Sequence, residues 1–199
     1  MKPQDFYPRI TDFVARPAHE RQHALLVLHT DIVEEYLAAV EAITPERAAH
    51  VLPHDGRTIA QVVGHIMEWE RWLITAAGEM AAGVAYPQIM RRQGYVDADG
   101  HARSFDSVDA FNAHQEAMQK SLDWETIQAL ALGTASDLQI LFCKSGLLPA
   151  ERLEQTRRFR WKLPTGDTLT VPCGWFLWMV TLEHEAVEHE GDLKAGLIK

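Results

Sequence analysis

Four long segments of this chain repeat apolar side chains every three or four positions, and few folds accommodate that. In the first, from about His19 to Ile43, Leu25, Leu28, Ile32, Tyr36 and Val40 form one stripe of a helix. In the second, Ile59, Val62, Val63, Ile66, Trp69 and Leu73 do the same as far as about Met80. Thr58 followed by Gln61 has capping-box spacing and marks its start. The third begins at Asp123, a good N-cap, carries Ile127, Leu130, Thr134, Leu138 and Leu141, and closes at "KSG" with Gly146 as the stop. The fourth begins around Gly174 and runs almost to the end. Each stripe must be buried against another element, so the expected class is all-α, a four-helix bundle.

The connections refine this. Thr44 and Pro45 predict a short extra turn in "TPERAAH", and "LPHDG" then breaks the chain. Residues 81–106 are rich in Gly, Ala, Asp and Pro and read as a long connection, followed by a short helix from Ser107 to about Lys120. In "RRFRWKLPTGDTLTVP" two alternating runs flank a turn signal, predicting a small β-hairpin before the last helix. With no internal repeat, low-complexity tract or second domain in view, residues 1–199 read as a single bundle domain.

A net charge of −9 argues against a nucleic-acid partner. The one basic cluster, Arg157 to Lys162, alternates with Phe159 and Trp161 as a strand with one wet face does. Cys143 and Cys173 lack any CxxC or finger spacing, which leaves no disulfide framework or zinc knuckle. The opening "MKPQDFYPRITDF" has no signal-peptide core, and no uninterrupted apolar run is long enough to span a membrane. The expected location is the cytoplasm, with no membrane partner.

The fourth helix poses the functional question. Trp175, Trp178, Leu182, Glu185, His189 and Leu193 share one stripe at about 100° per residue. Glu185 and His189 therefore occupy core-type positions on adjacent turns, whereas His184, five residues before His189, falls on a flank beside Glu188. A buried glutamate is costly unless it is paired or bound to a metal. Glu185 and His189 are thus candidate metal ligands, and His65, at the edge of the second helix's stripe, is the candidate third. Three N/O ligands with open positions form a catalytic pattern. The same residues also suit a metal-free arrangement, with Glu185 bonded to His65 or an arginine.

"DGRTIAQVVGHIMEWERW" resembles the second-helix motif of the DinB-like superfamily, a histidine followed by an acidic and aromatic run. "HEAVEHEGDLKAGL" is similar to that superfamily's last-helix motif, in which a ligand, three residues and a histidine precede a Gly or Asp and a Leu. Many members carry His at the first of those positions. The branch that includes mycothiol-dependent maleylpyruvate isomerase carries Glu, as Glu185 does here. The resemblance extends from about residue 20 to the end. It implies a divalent ion (zinc, nickel, iron or manganese) held by His65, Glu185 and His189. It also implies a thiol-dependent transferase or isomerase acting on a small-molecule substrate with a low-molecular-weight thiol.

Such a mechanism needs no protein nucleophile. Cys143 reads as core, and Cys173 lies about 18 Å of helix rise from Glu185, too far to be a ligand. Glu70 is placed to support the ligands, while Glu68 reads as solvated. Trp69, Trp72, Trp175 and Trp178 would wall a pocket or fill the core, and Arg157, Arg158 and Arg160 would hold an acidic cofactor or simply face water. The remaining histidines, His29, His54 and His114 among them, show no partner pattern. Two rival classes stand beside this reading: a metal-dependent hydrolase, and a non-enzymatic metal-binding, stress-related bundle. The oligomeric state is left open, a homodimer included.

Overall fold

The computed structural model describes residues 1–54, 56–97, 99–143 and 146–197. Among them the four long helices are α2 (Ala18–Ala42), α4 (Ile59–Ala81), α6 (Trp124–Cys143) and a last helix in two pieces, α8 (Cys173–Glu183) and α9 (Glu190–Leu197). α1 (Pro3–Ala15), α3 (Pro45–Ala48), α5 (Val108–Gln119) and α7 (Ala150–Glu154) surround them. The chain is an all-α bundle carrying two small antiparallel hairpins, β1 (Gln93–Val96) with β2 (Ala102–Ser104) and β3 (Arg158–Lys162) with β4 (Thr168–Pro172).

The expected starts are met by local chemistry. Thr58 accepts from the Gln61 backbone N–H and Gln61 returns a bond to the Thr58 N–H, closing the capping box of α4. Asp123 caps α6 through the Thr126 N–H, and Ser107 caps α5 through the Ala110 N–H. The expected hairpin pairs in register, Arg158 with Pro172 through Lys162 with Thr168. The expected stop of α6 at "KSG" falls partly on residues 144–145, outside the described residues.

Several elements differ from expectation. The segment read only as lacking a signal core is α1, which buries Phe6, Tyr7, Ile10 and Phe13 on one face. The long connection contains the β1–β2 hairpin, whose Tyr95 is buried beside Trp72 and Phe111. On α6, Leu130 faces outward at 43% exposure, and Ala131, Ala135 and Phe142 fill the interior instead. That helix is long and apolar enough, by length and composition, to cross a membrane, and in this structure it packs against α4 and α2.

The core forms two apolar clusters. One gathers around Trp72, Trp175 and Trp178 with α1, and the other around Val40, Ile59, Ile66 and Trp124. Each large side chain so buried contributes about 1.5–3 kcal/mol relative to exposure. The last helix is buried along the expected stripe, with Trp175, Trp178 and Leu182 at 0% exposure and Glu185, His189 and Leu193 below a tenth. It is not a continuous α-helix, however. Residues His184–Glu188 form a π-helical turn between α8 and α9.

Candidate metal centre

A π-turn closes hydrogen bonds from i to i+5, so residues five apart take the relation that residues four apart have in an α-helix. The turn therefore brings His184 onto the same face as His189. Their ring centroids are 4.8 Å apart, and both rings stand edge-on to His65 of α4, at 4.9 and 5.4 Å. One nitrogen from each of His65, His184 and His189 lies within 4.8 Å of the others.

The hydrogen bonds around this triad aim its nitrogens. His65 Nδ1 faces Gln115 Oε1 of α5 at 3.2 Å. An amide oxygen only accepts, so Nδ1 carries the proton and Nε2 is left with its lone pair. His189 Nδ1 faces Asp192 Oδ2 at 2.9 Å, which fixes that ring in the same way. Asp192 is itself shared, its other oxygen lying 3.3 Å from His54 Nε2. His65 Nε2 and His184 Nε2 are 3.1 Å apart. Two nitrogens bound tetrahedrally to one zinc ion at about 2.0–2.1 Å stand roughly 3.3 Å from each other, so the spacing suits a shared cation. Burial lowers the His65 pKa to about 4, helped by its electrostatic interaction with His189 and Arg57. His184 is lowered well below its usual value by the same causes, burial first. Both imidazoles are thus held neutral, the form that ligates metal.

Of the three residues expected to meet, the structure brings His65 and His189 together and turns Glu185 elsewhere. The Glu185 carboxyl faces that of Glu70 in the bundle interior, beside Tyr36. No donor from another described side chain reaches either carboxyl. Burial raises both pKa values, that of Glu185 to about 7, and Glu70 is raised further by its acidic neighbour. His184 was placed on a flank because a regular 100° step was assumed. The signal that could have found it is the pair of histidines flanking four residues that include two glutamates.

The surroundings decide the remaining expectations, and that of a solvated Glu68 is corrected. Glu68 is buried, accepts from Tyr95 Oη at 2.6 Å and pairs with Arg71, so it staples the β1–β2 hairpin to α4 rather than facing water. Cys173 is fully buried and its thiol is pushed up by desolvation, which makes it a packing residue. Cys143 is half-buried against His29 Nδ1 at 3.6 Å. Trp72, Trp175 and Trp178 are core. Trp69 alone of the four is partly exposed, and it stacks on Trp72 and meets the His184 ring edge-on at 6.4 Å. Arg157 lies over Tyr86, and Arg158 bonds to the Thr170 carbonyl. His29, given no partner from the sequence, is buried and accepts from Trp178 Nε1.

A second group of possible ligands, Asp97, Asp99 and His101, is a loop staple. Asp97 accepts from the Asp99 and His101 backbone N–H groups and from Arg103 Nε, which uses its oxygens. Two members of the histidine triad, His65 and His189, by contrast line a cleft of about 390 Å³ together with Arg57, Gln61, Asn112, Gln115, Glu116 and Gln119. A larger, mostly apolar groove of about 500 Å³ lies between α2 and α9 and is not lined by those histidines.

No family model matches the sequence, and no curated protein matches it by sequence. Among solved structures, mycothiol-dependent maleylpyruvate isomerase aligns with a TM-score of 0.56 over 86% of this chain at 15% identity. A histidine-to-alanine mutant of that enzyme aligns equally well, with a TM-score of 0.56 over 87% of the chain at 14% identity. This chain therefore has that fold, and it spans 59% of those chains' length.

Proposed function

We propose that this chain binds one divalent metal ion through His65, His184 and His189 and uses it to activate a low-molecular-weight thiol against an electrophilic small molecule. The carrying observation is the convergence of three ring nitrogens, two of them oriented by Gln115 and Asp192, with His65 and His189 lining an open cleft. A divalent ion held there supplies a Lewis acid that lowers the pKa of a coordinated thiol or water. The chain's own contribution is orientation and exclusion. Gln115 and Asp192 hold two imidazoles in one tautomer, Trp69 stands edge-on to the third, His184, and α5 forms a wall of the cleft. Zinc, nickel and iron suit imidazole ligation, whereas manganese, which favours oxygen ligands, suits a set that includes a carboxylate. The thiol comes into the reading from the sequence motifs and from the isomerase whose fold this chain shares.

The ligand set His65, Glu185 and His189 expected from the motif is a second reading. It is favoured by the buried Glu185 carboxyl having no hydrogen-bond partner among the described residues. Elemental analysis separates the two. The wild type should carry about one divalent ion per chain, and His65→Ala and His189→Ala should lose most of it. His184→Ala should lose it under the three-histidine reading, and Glu185→Gln under the other. Full metal content in His65→Ala and His189→Ala alike would refute both.

A panel of small thiols with a chromogenic electrophile tests the chemistry, since a metal-dependent hydrolase would be indifferent to thiol. We also propose that residues 1–199 act as a single unit in the cytoplasm, as a monomer or homodimer, with no nucleic-acid or membrane partner.

A further inference from the structure

The cleft has a wall that metal binding leaves unused. Asn112, Gln115 and Gln119 of α5 line it, and their spacing of three and four puts them on one face of that helix. Gln115 and Gln119 are 1% and 5% exposed. The Gln115 oxygen is committed to His65, yet among the described residues its amide nitrogen has no partner, nor has that of Gln119, nor the Asn112 amide oxygen beside them. Buried amide groups are nearly always paired, and an unpaired one marks a missing acceptor or a functional role. Arg57, from the loop before α4, lines the same cleft, and its positive charge is felt at both His65 and His184. Glu116 is the one carboxylate among the lining residues, and it is exposed.

The sequence also makes room for this wall. A Cβ added at Gly64 would lie 2.5 Å from both Cδ and Oε1 of Gln119. Glycine at that one place on α4 lets the Gln119 amide rest against the helix backbone one residue from His65. Two unpaired amide donors and a guanidinium around one opening make a site for an oxygen acceptor of negative charge.

We infer that Gln115, Gln119 and Arg57 recognise a carboxylate on the small molecule that reaches the histidine triad. This deepens the proposed function and rests on it for the chemistry that follows, but not for the recognition. The carboxylate belongs either to the thiol or to the electrophile, and both sources present the same group to the wall.

Calorimetry with three probes tests the inference. 3-Mercaptopropionate and 1-propanethiol are titrated into zinc-loaded protein, and glutarate into metal-free protein. For a carboxylate carried by the thiol, the wild type should prefer 3-mercaptopropionate over 1-propanethiol by about tenfold or more. For one carried by the electrophile, glutarate should bind the metal-free protein. Gln119→Glu keeps the shape and reverses the charge preference. Gly64→Ala displaces the Gln119 amide by a methyl group against the flexible end of a side chain, a change the fold tolerates. Both variants should lower whichever preference the wild type shows by at least severalfold, with unchanged circular dichroism. Equal affinity for the two thiols together with no glutarate binding overturns the inference, as do preferences that survive in both variants. Should zinc not be retained by the wild type, the metal reading fails, while the glutarate titration still decides this one.

Discussion

His29 shows what one buried imidazole imposes on stability. It lies in the interior with its Nδ1 receiving the Trp178 indole N–H, and desolvation lowers its pKa from 6.5 to about 4. Because the folded value lies below the unfolded one, the unfolded chain takes up the proton first. The contribution is intact above about pH 6.5 and is lost as the pH falls toward 4, roughly 3 kcal/mol in all. His29→Gln keeps an acceptor and does not titrate, so its urea midpoint should fall less than that of the wild type between those pH values, and parallel falls would contradict this. Asp192 acts through another residue. It holds His189 Nδ1, so Asp192→Asn should weaken metal binding by about 10–100-fold in a competitive chelator titration, without unfolding the chain. His65 and His189 were legible in the sequence from spacing and resemblance. Asp192 and Gln115 were not, because their role is set by what they face across the fold. Glu185 was read correctly as buried and Glu70 as an inward residue of α4, yet that their carboxyls face each other depends on how the two helices pack, which spacing along one helix does not give.

At the scale of elements, the long helices were legible because apolar periodicity and caps are local signals. α1 escaped notice because two prolines, Pro3 and Pro8, interrupt a short stripe. The β1–β2 hairpin escaped because it is only three to four residues on a side and owes its place to Glu68 and Trp72. The π-turn matters most for the site, since it lets a five-residue spacing behave as a four-residue one. Deleting Val187 would restore ordinary α-helical geometry with His184 and His189 four apart, leaving α8 and α9 in register. That variant should fold and retain its metal. Inserting an alanine after Val187 should instead rotate the two histidines apart and abolish metal retention. Elemental analysis beside far-ultraviolet dichroism reads both, and loss of metal in the deletion would show that the turn does more than set the spacing.

Across the whole molecule, the interrupted last helix separates two chemistries. His184 and His189 face His65, and His65 and His189 line the cleft, while Glu185 turns to Glu70 and Tyr36 in the interior. The overall arrangement was legible as a bundle with a hairpin before its last helix, and the shared fold of the isomerase agrees with it. Neither periodicity nor fold could show which side of that helix each charged residue takes. The edge contact between Trp69 and His184 has a practical consequence. An indole this close to the nitrogens is a resident optical probe: nickel or cobalt entering the triad should quench its emission, zinc should leave it bright, and Trp69→Phe should silence the difference. Occupancy could then be followed in real time by light alone, with no label attached.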